Sequence, residues 1–303
     1  MAVIATGFFD GVHLGHRQVL DTLVSCAREM GQEAIVITFS RHPRMVLGQD
    51  ADSLRLLNSP EEKRALLMAA GVDRVEYVDF TPQFAAMTTM EYLQFLKSRY
   101  GAGAVVIGYD NRMGRDAGTA DDIEARAKAI GLEVIRTDGI AAEGVTVSST
   151  KIREALTEGN VTLASEMLGY SYQLHGVVVE GNRLGRTIGF PTANMQLYEP
   201  LKLIPANGVY LAKVEALGRT YCGMTNVGTR PTVTGVSATD ANSDRLRTIE
   251  TNIFGFGEDI YGLDIHVTFL ARIREEKHFS SMDELRAQLE LDRDACMALS
   301  GRF

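Results

Sequence analysis

Residues 2–16 run Ala2-Val3-Ile4-Ala5-Thr6-Gly7-Phe8-Phe9-Asp10-Gly11-Val12-His13-Leu14-Gly15-His16. The apolar run from Ala2 to Ala5 is the pattern of a strand buried on both faces. From Gly15 to Met30, Val19, Leu20, Leu23 and Ala27 fall on one face of a helix. Strand, glycine-containing turn and helix in this order place a helix N-terminus at the carboxyl end of a strand. In open parallel sheets ligands bind there, and the free N–H groups and positive dipole favour a phosphate. Gly11 and Gly15 allow the backbone to approach such a ligand. His13 and His16 are three residues apart and share one side of a helical turn. Two imidazoles so placed can donate hydrogen bonds to charge that develops on a phosphate. Taken alone, the segment also reads as a glycine-rich turn with two solvated histidines. A metal site lacks a third His or Cys nearby.

Working outward, the alternation continues. Residues 34–37, 75–78, 104–107 and 132–135 are short apolar strands. Residues 60–70, 90–99 and 120–130 are helices, the first with Ser59 as N-cap and Pro60 at its first position. This predicts a doubly wound, Rossmann-like parallel sheet with helices on both faces. Two short helices, 150–156 and 161–168, bridge to a different pattern. From Gln173 onward, strands at 175–179, 210–215, 220–226, 248–253 and 264–269 follow one another without helices, separated by glycine-rich turns. They predict an antiparallel β-barrel, closed by a C-terminal helix over 281–300. The expected domains are 1–169 and 170–303, in keeping with a chain of 303 residues. Residues 50–55 and 234–246 read as polar loops, the second lying over the pocket of the second half.

The net charge is -8, which argues against a general nucleic-acid or anionic-membrane binder. No apolar stretch reaches the length of a membrane span. Met1 to Thr6 lacks the basic lead and length of a signal peptide. Cys26, Cys222 and Cys296 are far apart with no CxxC pair, so neither a disulfide framework nor structural zinc is expected. A reducing, cytoplasmic setting follows. His175 and His266 read as structural, His278 as a surface group, and the methionines as packing.

Ser148-Ser149-Thr150-Lys151-Ile152-Arg153 puts hydroxyls and two cations at a helix start. Alone this is a plain N-cap with surface charges; it can equally hold phosphate oxygens. With residues 7–16 it resembles the HxGH nucleotidyltransferases, most nearly the adenylyltransferase module of bacterial bifunctional FAD synthetases, over roughly residues 1–168. The resemblance implies that His13 and His16 steady the α-phosphate of ATP while the FMN phosphate attacks. It further implies that Gly7, Phe9, Asp10, Gly11, Gly15, Ser148, Thr150 and Arg153 cradle ATP, and that Asp110 contacts flavin. Two stretches depart from the family pattern. Arg41 stands where proline is usual, and Asn111 and Met113 replace two phenylalanines of the segment 108–114.

Gly181-Asn182-Arg183-Leu184-Gly185-Arg186-Thr187-Ile188-Gly189-Phe190-Pro191-Thr192-Ala193-Asn194 is the strongest signal. Its glycines permit tight turns around phosphates, and Arg183 and Arg186 supply charge. Thr192 and Asn194 offer hard oxygen donors suited to magnesium. The glycines alone would read as a barrel hairpin, and Glu250 alone as a solvent-facing strand residue. The GFPTAN string closely resembles the riboflavin kinase signature. The stretches 205–210, 223–232, 249–251, 261–262 and 272–279 fit the same family, over residues 174 to about 300. That resemblance implies that Gly181, Arg186, Gly189, Pro191 and Asn194 bind ATP and that Thr192 and Asn194 hold Mg2+. It implies flavin contacts at Asn226, Arg230 and Arg272, and Glu250 as general base for the riboflavin hydroxyl. Asn252 stands where the family usually has histidine, and Gly255 where it commonly has aspartate. The expected function is phosphorylation of riboflavin to FMN, then adenylylation of FMN to FAD. One alternative is riboflavin kinase alone, with a weakened first half. Another is a flavin-binding sensor without turnover.

Overall fold

The computed structural model describes the chain apart from residues 47, 49–53, 109–111, 138–140, 143–144, 182–183, 230–246 and 302–303. By compactness it divides into Met1–Ser149 and Thr150–Phe303.

The first unit holds β1 (Ala2–Thr6), α1 (Leu14–Met30), β2 (Glu33–Phe39), α2 (Pro43–Val46), α3 (Pro60–Ala69), β3 (Arg74–Val78), α4 (Pro82–Ala85), α5 (Thr89–Tyr100), β4 (Ala102–Ile107), α6 (Ala120–Ala129) and β5 (Glu133–Arg136), then the small hairpin β6 (Ala141–Ala142) and β7 (Val145–Thr146). The five main strands pair in parallel in the order β3-β2-β1-β4-β5. Alternate residues of β1 feed opposite cores. Val3 and Ala5 pack with Leu20, Leu23 and Leu67 of α1 and α3. Ala2 and Ile4 pack with Leu93, Leu96 and Ile123 of α5 and α6. A sheet covered on both faces requires such continuous apolar strands. The strand order reverses at β1, so the loop after β1 lies at the switch point where such sheets bind ligands. Helix α3 begins as its sequence predicts: the Ser59 hydroxyl accepts from the Glu62 N–H, and the Glu62 carboxylate accepts from the Ser59 N–H.

The second unit opens with α7 (Ser149–Thr157) and α8 (Val161–Leu168). It continues with β8 (Gln173–Val179), α9 (Leu184–Thr187), β9 (Ala193–Leu197), β10 (Gly208–Ala216), β11 (Arg219–Thr229), β12 (Arg247–Ile253), β13 (Asp264–Arg274) and α10 (Met282–Ser300). Its six strands close a barrel in the order β10-β11-β12-β9-β8-β13, every pair antiparallel. Strand β9 has no counterpart in the sequence reading, which took residues 181–194 as one phosphate loop. It closes the barrel against β12 through two residue pairs, Glu250↔Asn194 and Thr251↔Ala193. The polar loop expected over 234–246 lies outside the described residues.

Helix α10 is fastened to the barrel by charge as well as packing. Asp292 is 1% exposed and takes a bidentate pair from Arg274 of β13, at 2.8 Å from Nε and 2.7 Å from Nη2. Gln288 donates a further bond to the same carboxylate. Removing one partner of a buried pair strands the other charge. Asp292→Ala is therefore expected to destabilise the second unit by about 3–5 kcal/mol, read as a lower urea midpoint. Breaking the exposed Arg286–Glu290 pair should leave that midpoint unmoved.

Candidate functional site

The loop between β1 and α1 brings the two histidines together. His13 is the N-cap of α1, and its Nδ1 accepts the His16 backbone N–H at 3.3 Å. Neutral His13 must then carry its ring proton on Nε2. The two rings stack with centroids 3.7 Å apart, and Phe9 meets His16 edge-on at 5.2 Å. A Cβ on Gly15 would come within 3.2 Å of the His13 ring, a tight approach that glycine avoids. Phe9, Gly11 and Val12 have φ of 52°, 86° and 38°. That is left-handed backbone, costly for the two non-glycine residues.

Asp10 secures this loop. Its buried carboxylate accepts the N–H groups of Leu57 at 3.0 Å and Asn58 at 3.4 Å, ahead of α3. Ser149 Oγ donates to the Asp10 carbonyl at 2.9 Å. Ser148 is half-buried, one residue before α7, and Thr150 and Arg153 lie in the first turns of that helix.

Gly7 marks where the loop meets a cavity of about 490 Å3 in the same unit. Its walls include Thr6, Phe39, Phe80, Phe84, Tyr92, Arg112, Met113 and Arg115. Met113 is buried in the core below. The flat surfaces come from the ends of β2 and β3 and from α4 and α5, where Phe39, Phe80 and Phe84 meet edge to face. Asp110 and Asn111 lie outside the described residues.

In the barrel unit, the short seam between β9 and β12 sets Glu250 opposite Asn194, and β11 sets Asn226 opposite Glu250 on its other side. The Thr192 hydroxyl reaches the Glu250 carboxylate at 3.5 Å. Asn194 is 8% exposed and packs on Gly181, where a Cβ would come within 2.3 Å of its amide. Gly185 accepts the Phe190 N–H at 2.8 Å, and Gly189 has φ 84°, which turns the chain into β9. Arg186, Pro191 and Thr192 line a cavity of about 350 Å3, whose other wall is Phe256 to Tyr261. Thr192 and Asn194 are hard oxygen donors beside the Glu250 carboxylate, a pair that fits a divalent cation shared with phosphates.

The remaining flavin candidates are placed differently. Asn226 is half-buried beside Gly228, over which Glu276 packs. Arg272 donates to the main-chain carbonyls of Glu158 and Asn207, at 3.2 and 2.6 Å, and lies against Gly159 and Gly208. It fastens the turn after α7 to the start of β10. Arg230 and Arg183 lie outside the described residues.

Known families match both halves of the chain. The FAD synthetase family model matches residues 1–151 and the riboflavin kinase model residues 168–300. The bifunctional riboflavin kinase/FMN adenylyltransferase of Bacillus subtilis is 34% identical over 297 residues, covering 96% of this chain and 90% of that protein. Its Escherichia coli counterpart is 36% identical over 295 residues, covering 96% and 90%. The chain belongs to the bifunctional riboflavin kinase/FMN adenylyltransferase family. A crystal structure described as a macrolide-efflux protein from Streptococcus pneumoniae has the same fold, with a TM-score of 0.88 and 34% identity over 98% of this chain and 93% of that one. That description belongs to that protein. Among the described residues here, no helix is long and apolar enough to cross a membrane.

Three features of this family member escaped the sequence reading. Asn252 donates to the Pro191 carbonyl at 2.7 Å, so it anchors the GFPTAN turn from β12. The wall from Phe256 to Ile260 carries no motif of its own, and only Tyr261 at its end falls in a stretch that fits the family. Lys63 is buried on α3, and burial lowers its pKa to about 8 despite the attraction of Asp10. A signal for it existed: Lys63 interrupts the apolar stripe it shares with Leu67 and Ala70.

Burial holds the His16 imidazole well below its ordinary value of 6.5, with repulsion from His13 and Lys63 adding to the effect. The unfolded chain therefore takes up this proton first. Stability due to neutral His16 is present above pH 6.5 and falls below it. In an NMR titration, the His16 ring signals should not move while the pH drops to 6.5, where an ordinary histidine is half protonated.

Proposed function

We infer that this chain carries two activities. The barrel unit transfers the γ-phosphoryl group of ATP to riboflavin, giving FMN and ADP. The parallel-sheet unit joins FMN to the adenylyl group of ATP, giving FAD and pyrophosphate. The observation that supports this reading is that one chain holds two polar clusters, each beside its own cavity: the stacked imidazoles, and the cluster Thr192–Asn194–Glu250.

In the barrel unit Glu250 is the base. It takes the proton of the riboflavin 5'-hydroxyl as that oxygen attacks the γ-phosphorus. Phosphoryl transfer asks the protein chiefly to position and to neutralise charge. Thr192 and Asn194 are the residues that would hold magnesium, with Gly181, Arg186, Gly189 and Pro191 shaping the ATP side. When bound, magnesium neutralises charge on the phosphate oxygens. Asn226 and Arg230 are assigned to the flavin side. Arg272 supports that side through the Asn207 carbonyl it holds.

In the parallel-sheet unit His13 and His16 donate to the α-phosphate as the FMN phosphate attacks, and pyrophosphate leaves. Loop residues from Gly7 to Gly15, with Ser148, Thr150 and Arg153, are assigned to ATP, and Asp110 to flavin. The isoalloxazine fits the cavity walled by Phe39, Phe80, Phe84 and Tyr92. Aromatic rings from the end of β2, from Phe80 and from α4 and α5 support this reading over the kinase-only alternative. The assigned boundary of the two activities is Gly169–Tyr170, just past the C-cap of α8. The acidic charge and three free cysteines support a cytoplasmic setting.

The two sites are separable by mutation. Glu250→Ala should cut FMN formation by about 10²- to 10⁴-fold, while FAD formation from supplied FMN survives. His16→Ala should do the reverse. Chromatography of riboflavin, FMN and FAD over time checks both. Loss of both reactions from either single change, in a folded protein, would refute the assignment of two sites.

A further inference from the structure

Lys63 is a charge in a place where α3 otherwise buries apolar side chains. The residue is 3% exposed and shares its face with Leu67. Lysine is seldom so buried without a charged partner. Here Nζ donates to the Phe8 carbonyl at 3.0 Å and to the Thr38 hydroxyl at 3.4 Å, and lies 3.8 Å from the centre of the Phe8 ring. These contacts are to a carbonyl, a hydroxyl and an aromatic face, and the attraction of the Asp10 carboxylate does not outweigh the burial of the ammonium. An apolar side chain of the same length would fill the space without the desolvation cost of an ammonium. The charge therefore calls for a functional account.

We propose that Lys63 is a positioning residue for adenylyl transfer: its ammonium pins the Phe8 carbonyl, and with it the loop that presents His13 and His16, and keeps a fixed positive charge beside that loop. The inference rests on the adenylyltransferase reading of the first unit. The Phe8 carbonyl belongs to the peptide that enters left-handed Phe9, and the Phe9 ring in turn abuts His16. A pull on that carbonyl is thus carried by two contacts to the imidazole. Lys63 works alongside the Asp10 carboxylate, which ties the same loop to the backbone ahead of α3. The charge also acts directly. The groups that bear on His16 are His13 on its own turn and Lys63 from α3, and both oppose a proton on it. Asp10 in turn attracts the Lys63 ammonium and partly offsets the effect of burial. A neutral His16 can donate one N–H to the α-phosphate without carrying charge of its own.

The test uses the full chain with FMN, ATP and magnesium. FAD and pyrophosphate are measured over a pH series that spans the histidine range, and thermal midpoints report the fold. Lys63→Met removes both donor and charge. It should lower kcat/KM for FAD formation by about 10- to 100-fold and move the acid limb of the rate profile to higher pH. Lys63→Gln keeps an N–H donor for Phe8 without the charge. It should recover part of the rate and keep the displaced limb, and it carries the test if the Met variant does not fold. A wild-type rate in the variants overturns the proposal, as does a lower rate with the acid limb unmoved. If the wild type itself forms no FAD, the reading of the first unit falls and takes this inference with it.

Discussion

The Asp10 carboxylate accepts the N–H groups of Leu57 and Asn58, and the first site depends on that bond pair. The loop after β1 takes left-handed conformations at Phe9 and Val12 that cost energy in isolation. The fold offsets that cost from a distance. Asp10 ties the loop to the backbone ahead of α3, Lys63 ties it to α3 itself, and Ser149 holds the Asp10 carbonyl. The imidazole stack is a consequence of this bracing. His13 caps α1 with the same nitrogen that sets its tautomer, and Gly15 leaves room for its ring.

The barrel obtains an equivalent rigidity by another route. Its narrowest seam, two residue pairs between β9 and β12, is also where Asn194 and Glu250 are set side by side. Closing the barrel and assembling the patch are therefore one event. Asn252 holds Pro191 to the seam, and Gly181 leaves the space that the Asn194 amide occupies. The glycines of residues 181–189 serve the turn as well as close backbone approach, since Gly185 bonds Phe190 and Gly189 is left-handed. The two units hold their polar clusters in place with different architectures. They are chemically consecutive: the product of the barrel reaction is the substrate of the parallel-sheet reaction.

The sequence by itself determined the class of both units. Buried parallel strands must be apolar on both faces, and Ala2 to Ala5 and residues 34–37 are. Barrel strands follow one another without crossover helices, and the run from Gln173 has that form. It also determined the motif residues, because a glycine-rich turn with its histidines, or GFPTAN with its oxygen donors, is local chemistry. Tertiary structure alone decided what those motifs rest on. Strand β9 was hidden because its first residues, Ala193 and Asn194, belong to the GFPTAN signature, and only its pairing with β8 and β12 makes them a strand. The cavity walls of Phe39, Phe80 and Phe84 come from separate elements and share no spacing. The resemblance puts Arg272 among the flavin contacts, and only the fold shows that it also donates to the main-chain carbonyls of Glu158 and Asn207. The reason is the same in each case. Local sequence sets which backbone shapes and donor groups are available, and only the folded chain sets which of them face a distant partner at bonding distance.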